Sequence, residues 1–263
     1  MFAEAAYIGT ASVPNPADHR TYNEWHQLDH RPENLALDGV YWGERWVRSP
    51  RCREAALVAT GEWSEFHYLN SYWLRPPVGR SIAAWSRLAD DSFHWGRRPD
   101  VPITTRSFLS FFRPVFGLAS PKALVAPHVL PMRPNRGVYL TVTSASAAAG
   151  ANRAILENRY AWYRASGFPA MVERPGVAGV WALASAHHLA PATWVKQEGS
   201  TAAALPEQRV HLYFCDGDPI EVAQALSVGD VLAPGERRCE ELLFAGPLES
   251  ITPWRWDWFD GER

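Results

Sequence analysis

Two stretches decide the fold: YNEWHQLDHRPENLALDGV at Tyr22–Val40 and RYAWYRASGFPAMVERPGV at Arg159–Val177. One constant offset without a gap places Trp25 on Trp162, Pro32 on Pro169, Gly39 on Gly176 and Val40 on Val177. Tryptophan and proline are uncommon enough for this register to mark an internal repeat.

The flanks repeat as well. A β-like run precedes each copy, AAYIGTAS from Ala5 and GVYLTVTS from Gly137, and a helical stretch follows it. In the first half Asn15 is placed to cap that helix, Pro16 suits its first position, and Asp18 favours its positive end. After each copy come a second β-like run (VYWGERWV, VAGVWALAS) and a third (FHYLNSYWLR, RVHLYFCD). A helical segment (VGRSIAAWSRLADD, IEVAQALS) and a fourth β-like run (ITTRSFLSFF, EELLFAG) complete each half. Both halves read β-α-β-β-α-β, the ferredoxin-like α+β unit, with helices on one face of a sheet. The bare sheet faces need cover, so two tandem repeats are expected to pack sheet to sheet around a shared interior. The expected units are a first repeat at 1–119, a Pro-rich linker at 120–135, a second repeat at 136–250 and a Trp-rich arm at 251–263.

The chain has 263 residues, a net charge of −2 and 47% hydrophobic residues, enough for a sizeable core. Without clustered Lys and Arg, neither nucleic acid nor an anionic membrane is expected as partner; a small or apolar ligand fits better. No basic leader or membrane-length apolar run is present, so a cytoplasmic location is expected. Cys52, Cys215 and Cys239 form no C-x-x-C pair and suggest neither a disulfide framework nor a cysteine-rich metal site. In the arm, Trp254, Trp256 and Trp258 alternate and would share one face of an extended strand, either packing on the body or walling a pocket.

The segment EWHQLDHRPENLALDGVYWGERW resembles the EthD-like branch of the dimeric α+β barrel superfamily. There a first helix ends in a Trp-aromatic stretch and His-x-Pro, followed by Pro-Gly-Val and a strand ending in arginine. The matching positions are Trp25, His26 in place of a tyrosine, His30, Pro32, Gly39, Val40 and Arg45, while Asp38 departs from the proline that Pro175 keeps. The resemblance implies a fused dimeric α+β barrel. The superfamily includes cofactor-independent monooxygenases, muconolactone-type isomerases and haem enzymes. Gly167 stands in the place of His30, so a single working pocket is expected, in the first lobe, with the second lobe as its pseudo-dimer partner.

His30 is the leading acid–base candidate, because imidazole titrates near neutrality and the resemblance puts this position at the barrel cavity. His26, one turn earlier, and Tyr22, a turn before that, share its helix face, with Trp25 beside them. Asp29 would raise a neighbouring imidazole pKa if it turned inward. Arg45 would clamp a carboxylate if it faces inward; alternation leaves its side open, and a surface ion pair is the competing reading. On the third strands, Leu69, Ser71, Trp73, Leu212 and Phe214 are assigned to the helices. Tyr68, Asn70, Tyr72, His211, Tyr213 and Cys215 are assigned to the interior, where Tyr68, Tyr72, His211 and Tyr213 would contact substrate.

The spacing of His26 and His30 also suits zinc, but Gln27 replaces the glutamate of H-E-x-x-H, so no metal site is expected. His94, His128, His187 and His188 sit in no haem motif, and no cofactor is expected. No G-x-S-x-G elbow, phosphate loop or dinucleotide fingerprint occurs. The expected function is a cofactor-independent enzyme of aromatic or ring-cleavage-product catabolism. It would use His30, assisted by His26 and Arg45, to isomerise or hydrolyse an unsaturated carboxylic acid. Cofactor-free monooxygenation of an aromatic or polyketide substrate, and non-catalytic binding of a small ligand, are the alternatives. Whether two chains pair as a homodimer stays open.

Overall fold

The computed structural model describes residues 2–97, 104–145, 160–191, 207–233 and 240–262. Cys239 and the start of the second repeat's first helix lie outside the described residues. The first lobe contributes β1 (Ala5–Ala11), β2 (Val40–Val47), the two-residue β3 (Val58–Ala59), β4 (Tyr68–Leu74) and β5 (Leu109–Ala119). The second contributes β6 (Gly137–Ala145), β7 (Val177–Ser185), β8 (Gln208–Cys215) and β9 (Glu240–Ser250).

The strands run in the order β2-β4-β1-β5-β7-β8-β6-β9, and β9 pairs back onto β2 through Trp46–Ser250 and Val47–Glu249. Each lobe therefore has the ferredoxin-like order second-third-first-fourth. The fourth strand of each lobe joins the second strand of the other, which closes an antiparallel barrel and removes its free edges. β5 lies further along the chain than ITTRSFLSFF suggests, reaching Ala119. Pro114 would ordinarily end a strand, but the β5–β7 register shifts between Pro114 and Phe116, and a bulge there tolerates the missing N–H.

In the first lobe Asn15 Oδ1 accepts from Ala17 N (3.2 Å) and opens a short turn into α1 (His19–Trp25). A π-helical turn, His26–His30, leads on to α2 (Arg31–Leu35). α3 (Pro50–Glu54) and α4 (Val78–His94) follow. In the second lobe a π-helical turn, Tyr163–Gly167, runs into α5 (Phe168–Val172), and α6 (Pro219–Gln224) precedes β9. No helix among the described residues is long and apolar enough to cross a membrane.

The barrel interior is an apolar core of Trp46, Leu69, Trp73, Phe112, Leu140, Trp181, Leu212 and Phe214, with Trp63 and Phe244 among its neighbours. This reverses the expected faces of the third strands. Leu69, Trp73, Leu212 and Phe214 point into the barrel, whereas Tyr72 packs with Trp85 of α4 and Tyr213 with Phe168 of α5. The physical reason is that sheets wall the interior on every side and bring mainly apolar groups, each stabilising by roughly 1.5–3 kcal/mol when fully buried. The helices carry the hydrogen-bonding side chains that the polar strand face needs.

The arm is not a strand. Trp254 has φ 69° and is 73% exposed, while Trp256 is buried, so the three tryptophans do not share a face. Trp256, Phe259 and Ile251 pack instead with Tyr22, Val47 and Tyr68 of the first lobe. Cys52 and Cys215 are buried free thiols, and burial pushes the pKa of each up to about 12.

Candidate functional site

α1 and the π turn carry His19, Tyr22, Asn23 and His26 on one buried face against β2 and β4. A π turn inserts an extra residue into the helical ladder and frequently marks a functional site. Here it occurs at the aligned positions of both lobes, so it belongs to the repeat, and chemistry depends on the side chains it presents.

Arg45 is the centre of the cluster. Its side chain is fully buried between β2 and α1, which answers the question alternation left open. Nε donates to Asn70 Oδ1 (3.1 Å) and Nη1 to Asn23 Oδ1 (3.2 Å), and the guanidinium lies over the rings of Tyr22 (4.9 Å) and Tyr68 (5.0 Å). The second amide contact continues as a chain: Asn23 Nδ2 donates to Tyr68 Oη (2.7 Å), which donates to His19 Nδ1 (2.7 Å). Burial holds His19 down at about 3, so its ring is the neutral acceptor this chain requires. No carboxylate among the described residues comes within ion-pair distance of Arg45, and its buried Nη2 has no hydrogen-bond partner there. Amide oxygens and π faces soften such a charge, but leaving it without a counter-ion still costs several kcal/mol.

His26 is 4% exposed. Burial, then the charges of Arg45 and His30, holds its pKa well below the ordinary value, so the ring is neutral at pH 7. Its Nδ1 has no hydrogen-bond partner among the described residues. Tyr22 (5.8 Å), Trp25 (5.5 Å) and His30 (4.9 Å) surround it.

His30 sits further out, stacked on Trp25 at 4.7 Å and 18°. Asn34 Nδ2 lies 3.2 Å from its Nε2 and also donates to its backbone carbonyl at 2.7 Å, while Asn34 Oδ1 accepts from Trp85 Nε1. With Asn34 Nδ2 donating to Nε2, the ring carries its proton on Nδ1, which faces Glu33 Oε2 at 3.9 Å. Asp29 turns outward to Arg97 and does not reach either imidazole.

The structure thus brings Tyr22, Trp25, His26, His30, Arg45 and Tyr68 together, with Tyr72 at the edge through Asn34 (3.4 Å). His211 and Tyr213 lie elsewhere. They face the second lobe's own helix, with Tyr163 4.5 Å and Phe168 5.1 Å from the His211 ring. Sequence reasoning missed Asn23, Asn34 and His19. The signal was there in the helical spacing of positions 19, 23, 26, 30 and 34, which places these three hydrogen-bonding groups on the face of His26 and His30. Among the described residues no group of three or more His, Cys, Asp or Glu side chains could hold a metal ion.

No protein-family model matches the sequence, and no curated protein matches it. Solved structures do match the fold. A candidate chlorite dismutase superposes with a TM-score of 0.53 at 12% identity, covering 96% of each chain. A variant of DypB from Rhodococcus jostii RHA1, in complex with heme, gives 0.54 at 7% identity over 95% of this chain and 93% of that one. A candidate monooxygenase from Fusobacterium nucleatum gives 0.51 at 7% identity, over 96% and 94%. At these identities the likeness establishes the dimeric α+β barrel fold and nothing finer.

One expectation is overturned by these neighbours. A fold of this kind holds heme in DypB, so the absence of a cofactor does not follow from it. The residues present give that group a mixed reception. His26 and His211 have unpartnered ring nitrogens, the donor that haem iron takes. The rings packed around each at 4.5–6.2 Å leave no flat space for a macrocycle beside them. As packed, neither His26 nor His211 has room for haem beside its ring.

Proposed function

We propose that the chain is an enzyme of small-molecule catabolism, EthD-like in the placing of its site, that takes a proton from an aromatic or unsaturated carboxylic acid. The observation that carries this reading is the buried guanidinium of Arg45, without a carboxylate partner among the described residues, beside the neutral ring of His26. An anionic oxygen of the substrate would accept from Arg45 Nη2, supplying the missing counter-ion. His26 Nδ1 would take a proton from the adjacent C–H or O–H, and the negative charge left on substrate oxygen would grow beside Arg45. Asn23 and Asn70 keep the guanidinium aimed, and Trp25 with His30 forms the outer wall.

His26 replaces His30 as the proton acceptor in this reading, because it lies deeper and closer to Arg45. Return of the proton to another carbon gives isomerisation, and attack of activated water gives hydrolysis. The aromatic walls of Tyr22, Trp25 and Tyr68 favour a second reading, in which a phenolate formed there reacts with oxygen. The test is turnover of unsaturated diacids and phenolic acids with oxygen uptake followed in parallel. Uptake in step with turnover selects the oxygenase, and turnover without it selects isomerisation or hydrolysis. His26→Asn is expected to lower kcat by about 10²–10⁴-fold, the usual contribution of general acid–base catalysis. Unchanged turnover in that variant contradicts both readings.

A further inference from the structure

We infer that the cleft at the β2–β9 seam is a second anion-binding site, separate from Arg45, for a small molecule carrying two or more negative charges. The cleft holds about 710 Å³ and draws on both lobes and the arm, with Arg51, Arg136, Asp218, Glu249, Arg255 and Trp258 in its lining. Three arginines and two acidic residues line it, and the pairing is uneven. Arg51 takes up both acids: Nε and Nη2 donate to Glu249 Oε1 (3.1 and 2.7 Å), and Nη2 reaches Asp218 Oδ2 (3.3 Å). The remaining oxygens are also engaged, Glu249 Oε2 by Ser49 Oγ and Asp218 Oδ1 by Ile220 N at 2.9 Å.

The other two cations keep their charge. Arg136 has no carboxylate partner among the described residues, and Arg255 meets Asp257 at 3.8 Å, with side chains 74% and 67% exposed. An exposed pair of that kind contributes little to stability, so Arg255 can exchange it for a bound anion. The cleft therefore carries net positive charge on Arg136, from the segment that enters β6, and Arg255, from the arm. A concave wall concentrates that field on a bound anion. Ser250 and Asn135 are already bonded to each other, so recognition falls to the two guanidinium groups and the Trp258 ring.

The probe is inorganic phosphate, with citrate as a larger polyanion, titrated calorimetrically into the full chain. Wild type is expected to bind at least one of them. Arg136→Gln with Arg255→Gln is expected to weaken that binding at least tenfold, and Arg45→Met to leave it unchanged. Neither cleft residue carries a buried ion pair, so the double variant tests the cleft without threatening the fold. The inference is overturned if wild type binds neither probe, if the double variant binds as wild type does, or if Arg45→Met loses binding to the same extent. Arg45→Met leaves the seam residues in place, so failure at the seam leaves the proposed function standing, and the reverse also holds.

Discussion

Each lobe buries an arginine between its sheet and its helices, and the two are treated differently. In the second lobe Arg209 is 2% exposed, lies over Tyr160 and Tyr163 (5.6 Å each), and is paired with the carboxylate of Glu240. In the first, Arg45 lies over two tyrosines in the same manner but has amide oxygens where the other has an acid. The β2–β4 register sets Arg45 against Asn70, and the β7–β8 register sets Ala182 against His211, so the first-lobe cation has no counterpart at its own position. The second lobe commits its arginine to structure. Among the described residues the first has no carboxylate to match its charge.

The comparison breaks most visibly in stability. Arg209→Met strands a buried carboxylate and is expected to destabilise by about 3–5 kcal/mol. Arg45→Met removes a charge that has no carboxylate partner among the described residues and is expected to leave the unfolding midpoint unchanged or raise it. Denaturant titration of both variants decides, and equal losses would contradict the assigned difference.

A smaller effect is expected at the π turns. A Cβ on Gly167 would meet the Trp162 ring at 2.4 Å, so Gly167→Ala is expected to cost about 1–3 kcal/mol by overpacking. His30 occupies the aligned position in the first lobe with its ring stacked on Trp25, and His30→Ala should cost less, read by the same titration.

Acid should act on both lobes. His26 and His211 are each held well below the ordinary imidazole value of 6.5, first by burial and then by Arg45 or Arg209. The unfolded chain therefore binds these protons more tightly. The stability they contribute is complete above pH 6.5 and is lost as pH falls below it, by up to about 1.4 kcal/mol per pH unit per histidine. His19, at about 3, and His67, at about 4, add to the same trend. His26→Gln and His211→Gln should each flatten stability between pH 7 and pH 5, and a carboxylate bound at Arg45 should flatten only the part that belongs to His26.

Much of this architecture can be read from the chain. VYWGERWV and VAGVWALAS coincide with β2 and β7 residue for residue, because β-branched and aromatic runs ended by turn residues have few alternatives. The face of β4 is not readable in the same way. Both sides of a barrel strand are buried, and alternation of Tyr68, Asn70 and Tyr72 with Leu69 and Trp73 separates two faces without saying which looks at a helix. The lone state of Arg45 is hidden for the same reason, since Glu44 is its neighbour in sequence yet turns its carboxylate to Arg31 at 3.0 Å. The arm misleads because alternating tryptophans look like a strand, and the positive φ at Trp254 is a backbone event that spacing does not encode.

The most direct test gives Arg45 the counter-ion it lacks. Asn70→Asp places a carboxylate on the atom that already accepts from Arg45 Nε, and thermal unfolding is then followed for wild type and variant with and without benzoate, a monoanion outside the class assigned to the seam. If the buried guanidinium awaits an anion, the variant alone has a higher midpoint and loses the stabilisation that benzoate gives wild type. An unchanged or lower midpoint, with benzoate still stabilising the variant, would contradict that role for Arg45.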